Sequence, residues 1–166
     1  MKKVGIVMGS YSDLAIAEKA ADTLASLSVP FEVHVYSAHR TPCEAAEYAA
    51  SAEKNGFGVI IAIAGMAAHL AGSLAAQTVL PVIGVPCKSG NLDGIDALLS
   101  TVQMPSGVPV ATVAVDGGVN AALLACQILA LQDEGLAGRL KSRRENEKKA
   151  VLEKNRTAEE KFSKHL

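Results

Sequence analysis

The sequence is poor in aromatic side chains, with three tyrosines, three phenylalanines and no tryptophan in 166 residues. Fourteen glycines and many alanines mean that an interior built here uses small side chains, so helices and strands can approach closely. A surplus of either charge is also missing. Sixteen Lys and Arg against seventeen Asp and Glu leave a net charge of −1, which excludes a general nucleic-acid binder. Cysteine is sparse. Cys43, Cys87 and Cys126 stand about forty residues apart with no CxxC pair, which points to reduced thiols in a cytoplasm and excludes a disulfide framework or zinc site. Five residues, VGIVM, separate Lys2-Lys3 from polar GSYSD, too short for the apolar part of a signal peptide.

Residues 55–87 carry no charged side chain and invite comparison with a membrane span. His69, Gln77, Pro81 and Pro86 break the run into short pieces, which suit two buried strands flanking a helix better. The length suits one domain that buries about 69% of its unfolded surface. Charge is unevenly spread. Residues 133–166 hold ten basic and seven acidic groups, so residues 1–132 are read as one α/β domain and 133–166 as a charged helical tail, docked on its own or a neighbouring subunit. Arg40 is the single arginine in those first 132 residues.

Five short apolar runs, VGIVM (4–8), FEVHVY (31–36), GVIIAI (58–63), PVIGV (81–85) and VPVATVAV (108–115), lack the alternation of a half-exposed strand. Such runs fit parallel strands covered on both faces. Between them lie stretches of helical spacing: Leu14 to Leu27, Ala45 to Ala52, Ala67 to Gln77, Ile95 to Val102 and Asn120 to Leu131. The alternation predicts a doubly wound, three-layer sandwich on a five-stranded parallel sheet, followed by a charged C-terminal helix.

Ligands of open parallel sheets sit beyond the carboxyl ends of the strands. There the sequence places Gly9-Ser10-Tyr11-Ser12-Asp13, Ser37-Ala38-His39-Arg40-Thr41-Pro42, Ala64-Gly65-Met66-Ala67-Ala68-His69, Pro86 to Asn91, and Asp116-Gly117-Gly118. Ser10 and Ser12 precede a helix whose free N–H groups attract an anion. Asp13 can accept from a ribose diol, and equally reads as an acidic residue in a first turn. Ser37 and Arg40 offer a hydroxyl and a guanidinium fork suited to a phosphate. His39 lies between them, while His69 reads either as a capping or as a functional histidine. His34, inside a strand, and His165, in the tail, are read as non-catalytic, and Cys43 as inert. There is no GxGxxG, no GxxxxGK[ST], no metal-ligand cluster and no pair of carboxylates for glycoside chemistry. Imidazole is the side chain whose ordinary titration spans neutrality, so the residues point to a cofactor-free reaction on a small phosphorylated ligand, with His39 and His69 as acid/base candidates.

The strings MGSYSD, SAHRTP, AAHLAG, LPVIGVP, DGIDALLSTVQMPSGVPVATVAV and NAALLACQIL, in this order, resemble the N5-carboxyaminoimidazole ribonucleotide mutase family of purine biosynthesis. The resemblance runs from about Val4 to Leu131 and implies a flavodoxin-like fold, octameric assembly and an isomerase that moves a carboxylate from N5 to C4. It implies that Ser10, Ser12, Asp13, Ser37 and Arg40 bind the nucleotide, with Ala64, Gly65, His69 and Leu70 at the reacting end. It further implies that His39 protonates the carbamate nitrogen, that CO2 is held among Ala64, Gly65, Ala67 and Ala68, and that C4 then attacks it. No cofactor or metal is implied. A second class in the family carboxylates the amine directly with CO2. That class carries SAHKT and lacks the AAHL histidine, so Arg40 and His69 favour the mutase. Met66 stands where glycine is usual, Ala71 where proline is usual, and the segment at Asp116 is short. A receiver domain would need an aspartate where Ala64-Gly65 stands, and a flavodoxin would need more rim aromatics than Tyr11. A non-catalytic nucleotide-binding module is the remaining alternative.

Overall fold

The strands β1 (Lys3–Met8), β2 (Phe31–Val35), β3 (Phe57–Gly65), β4 (Val82–Cys87) and β5 (Ala111–Thr112) form one sheet in the order β2-β1-β3-β4-β5. Every pairing is parallel. The helices are α1 (Leu14–Ser26), α2 (Pro42–Ala52), α3 (Leu70–Ala75), α4 (Ile95–Val102), α5 (Gly118–Ala130) and α6 (Glu134–Phe162). The computed structural model describes residues 1–163 except the side chain of Asn91, so His165 lies outside the described residues. The strand order reverses direction at β1 and β3, which places a switch point, and hence a crevice, at their carboxyl ends.

The central strands are buried on both faces because their β-branched and small residues meet helices on each side. Val4, Ile6 and Met8 of β1 join Val59, Ile61 and Ile63 of β3 in a core closed by Ala17, Ala20 and Leu24 of α1 and Ala121, Ala122 and Ala125 of α5. Across the sheet, Val7, Ile60 and Ala62 meet Ala45 and Ala49 of α2 and Leu70 and Leu74 of α3. Alanine at these helix positions is what lets α5 lie so close. At Gly118 even a Cβ would fall 2.4 Å from the carbonyl oxygen of Ile16. The uncharged run 55–87 thus resolves into β3, α3 and β4, and among the described residues no helix is long and apolar enough to cross a membrane.

Three elements, β5, β2 and α3, differ most from what the sequence predicts. β5 pairs with β4 at Ala111 and Thr112 alone, a ladder much shorter than the apolar run around it: the Val113 N–H still donates to the Gly84 carbonyl, but the chain then turns at Val115 and Asp116 into α5. There the Asp116 N–H donates to the Pro86 carbonyl. β2 is an edge strand with only partial cover, so Glu32 and His34 are accommodated: Lys3 pairs with Glu32, and His34 stacks on Tyr36 at 5.5 Å between centroids. α3 begins at Leu70, which leaves Ala67 to His69 as loop.

The tail is a single helix. Asp133 caps it, accepting the Leu136 N–H at 2.8 Å, and its first turns are docked through fully buried Leu136. Arg139 Nε–H donates to the Leu27 carbonyl at 2.8 Å. Beyond Arg144 the helix is almost wholly exposed.

Candidate active site

The crevice predicted by the topology is a cavity of about 520 Å³ lined by residues of four strand-end loops. Nine of the ten residues singled out from the sequence line it: Ser10, Ser12, Asp13, Ser37, His39, Arg40, Ala64, Gly65 and Leu70. The tenth, His69, stands at its edge. Its Nδ1 lies 3.0 Å from Nε2 of His39, with the rings crossed at 75°.

Each loop is stiffened by its own polar groups. In the first, Ser10 Oγ accepts from the Ser12 N–H at 3.3 Å and the Ser12 hydroxyl at 2.9 Å, and Ser12 Oγ lies 3.4 Å from Asp13 Oδ1. This single turn of 3-10 helix (Tyr11–Asp13) presents two hydroxyls and a carboxyl to the cavity. In the second, Thr41 Oγ1 accepts the Ser37 N–H at 2.8 Å, and Pro42 starts α2 where no N–H is required. Ser37 Oγ accepts from the Arg40 backbone at 3.2 Å and from Arg40 Nε at 3.4 Å, while Arg40 Nη2 donates to the Gly9 carbonyl at 3.3 Å. The guanidinium therefore bridges the first two loops and is still exposed.

Asp13 is the acid in this wall. Partial burial is the main cause that raises its carboxyl above the ordinary carboxylate value. The hydrogen bonds from Ser12 and the Ser10 backbone oppose that shift, and the charge of Asp116 adds to it. Behind it lies Cys87, whose thiol is pushed up to about 12 by burial, with Asp13 and Asp116 contributing. Cys87 is thus a buried, neutral thiol behind the cavity wall. Asp116 sits in the left-handed region at φ +57° and accepts the Lys88 N–H at 2.9 Å, which ties the β4 loop to the start of α5.

The wall at the end of β3 is small and apolar. At Gly65 a Cβ would stand 2.8 Å from Ser89 Oγ, so glycine is required for the close approach of the two loops. Ala64 and Ala67 continue the lining. Ala68, expected to share it, turns into the core at 1% exposure, because its carbonyl faces the Thr101 hydroxyl of α4. The sequence reading did not assign Met66 or Ser89 to the site, although both line the cavity. Ser89 lay in a rim loop already marked by topology, and Met66 was visible as an apolar residue replacing a usual glycine. His34 is remote, held by Glu32 and aromatic neighbours in the edge strand, and Cys43 is exposed outside the lining.

The family model described as AIR carboxylase matches residues 3–150. The chain is similar to the N5-carboxyaminoimidazole ribonucleotide mutase of Bacillus subtilis, 58% identical over 152 residues that cover 90% of this chain and 94% of that one. It is also similar to the mutase of Pyrococcus horikoshii, 54% identical over 157 residues, covering 95% of this chain and 89% of that one. Among solved structures, PurE of Treponema denticola superposes with a TM-score of 0.83 at 31% identity, covering 93% of this chain and 96% of that one.

Proposed function

The chain belongs to the AIR carboxylase family, and on that premise we propose that it is an isomerase moving the carboxylate of N5-carboxyaminoimidazole ribonucleotide from N5 to C4. The observation that carries this reading is the pair of imidazoles, His39 and His69, in hydrogen-bond contact at the edge of a cavity of nucleotide size. Arg40 and the hydroxyls of Ser10, Ser12 and Ser37 suit the phosphate, and Asp13 suits the ribose diol. Those groups fix one end of the substrate, so its imidazole reaches Ala64, Gly65 and Leu70.

The reaction needs one proton out and one back. His39 gives a proton to N5 as the carbamate N–C bond breaks, and that bond's electron pair stays on nitrogen. The CO2 released is uncharged and stays among the small apolar residues. C4 attacks it, a C–C bond forms, and His39 takes the C4 proton, so protons and electrons balance without a redox partner. His69 fixes the ring orientation of His39 through their shared hydrogen bond, the same supporting role that a third group plays in other imidazole sites. Direct carboxylation by free CO2 is less favoured, because His69 is present and placed against His39.

The isolated chain exposes 9503 Å², well above the roughly 7,800 Å² of a compact monomer of this mass. Leu92 just ahead of α4, and Ile95, Leu99 and Val102 along it, lie open to solvent. A homo-oligomer, an octamer by resemblance, would cover such surface, and the outer turns of α6 would rest on a neighbouring subunit. Three free thiols suit a cytoplasmic setting.

The test is incubation with the carbamate nucleotide in the presence of a chelator, without ATP or bicarbonate, following the C-carboxylated product. Its appearance well above the uncatalysed rate is expected. Turnover only of aminoimidazole ribonucleotide with added CO2 would overturn the reading.

A further inference from the structure

The turn that ends β3 carries an apolar side chain at a backbone position that favours glycine. Met66 has φ +51°, where a Cβ crowds the following carbonyl. Its side chain is spent on no core contact, since Met66 is 66% exposed. It nevertheless lines the cavity, between Gly65 and Ala67. The conformation is pinned from outside the turn: Ser89 Oγ accepts the Met66 N–H at 2.9 Å. The same oxygen stands 2.8 Å from where a Cβ on Gly65 would fall. A strained residue held this firmly at a cavity wall points to a task for its side chain.

The reaction supplies that task. CO2 has no charge for Arg40 or Asp13 to hold, so between the two half-reactions only steric closure keeps it beside C4. Ala64, Gly65 and Ala67 make room for it but are too small to close over it. Methionine is unbranched, apolar and adaptable, and here it is the large apolar side chain on the turn that carries those small residues. We propose that Met66 is the cover over the reacting end of the cavity, anchored by Ser89, and that it sets how often CO2 is recaptured rather than lost. The inference rests on the carboxyl-migration reading and adds to it a residue that determines product partition.

Unlabelled carbamate nucleotide is turned over in medium containing 13C-bicarbonate. Two quantities are read: the 13C fraction of the C-carboxylated product, and the aminoimidazole ribonucleotide released above the uncatalysed rate. Wild type incorporates little label and releases little amine. Met66→Gly relieves the backbone, so its thermal midpoint is at or above that of wild type, yet label incorporation and amine release rise several-fold. Met66→Leu keeps an apolar cover and the wild-type partition, whereas Ser89→Ala shifts toward Met66→Gly. A folded, active Met66→Gly with unchanged label and release overturns the cover. If wild type forms no product from the carbamate at all, the carboxyl-migration reading itself falls, and the cover with it.

Discussion

His39 and His69, thirty residues apart in the chain, meet through one hydrogen bond, Nε2 to Nδ1 at 3.0 Å. One ring must donate and the other accept, so the bond couples the two facing nitrogens and forbids a state in which both carry protons. The two residues stand at the ends of different strands. β1 lies between β2 and β3, so the pair closes over the switch point of the sheet.

From this contact follows a graded outcome at His69. His69→Asn removes a partner of His39, not the group assigned the proton transfer. Its kcat should fall by about tenfold, less than for loss of a general acid–base group, typically 10²–10⁴-fold. Steady-state kinetics on both variants, measured alongside thermal unfolding, check the ordering. A His69 variant as inactive as the His39 variant would assign it an equal chemical role.

Asp13 couples binding and stability with opposite signs. Its folded-state pKa is raised by burial, so the stability it contributes is present below the ordinary carboxylate range and is lost as pH rises through the raised value. At neutral pH its ionisation therefore costs stability. Asp13→Asn should unfold at a temperature no lower than wild type at pH 7, while KM rises about tenfold or more, as expected for a lost hydrogen bond to a charged group. Calorimetry and kinetics on the same preparation test both halves, and a large loss of thermal stability would contradict the sign.

Arg40 bridges to Ser37 and to the Gly9 carbonyl by different nitrogens, a geometry that a lysine point charge cannot copy. Arg40→Lys should raise KM for the nucleotide while leaving KM for the dephosphorylated nucleoside nearly unchanged. Equal losses for both would show that the phosphate is held elsewhere.

Assembly is tested on α4. Ile95 and Leu99 are more than half exposed, one turn apart on the same face. Ile95→Glu with Leu99→Glu should shift the light-scattering mass toward that of a single 17.2 kDa chain. Wild type at micromolar concentration should be several times heavier. A wild-type mass equal to one chain would contradict the oligomer.

The sheet and the rim were legible because strand burial and helix spacing are written in short-range patterns. Five β-branched runs specify the parallel sheet, and the rule that ligands sit at carboxyl ends brings Asp13, Arg40 and His39 to one rim. Lengths were less legible. β5 ends at Thr112 because Asp116 is held by Pro86 and Lys88, contacts made across the fold. The edge position of β2 is legible in part, since Glu32 and His34 interrupt FEVHV, but only its place in the sheet shows that Val33 and Val35 stay exposed. Met66 and Ser89 show the limit most clearly: their pairing depends on a left-handed turn visible only in three dimensions.

The central claim is that one imidazole carries the proton in both half-reactions. The direct measurement is kcat of His39→Asn on protein whose thermal unfolding, oligomeric mass and affinity for the nucleotide match wild type. Needing the group twice places the expected loss at about 10⁴-fold or beyond, the upper end of general acid–base effects. A folded, substrate-binding His39→Asn that retains more than about a tenth of wild-type kcat, far above what loss of such a group leaves, would place the proton shuttle on another residue, with His69 the first to examine.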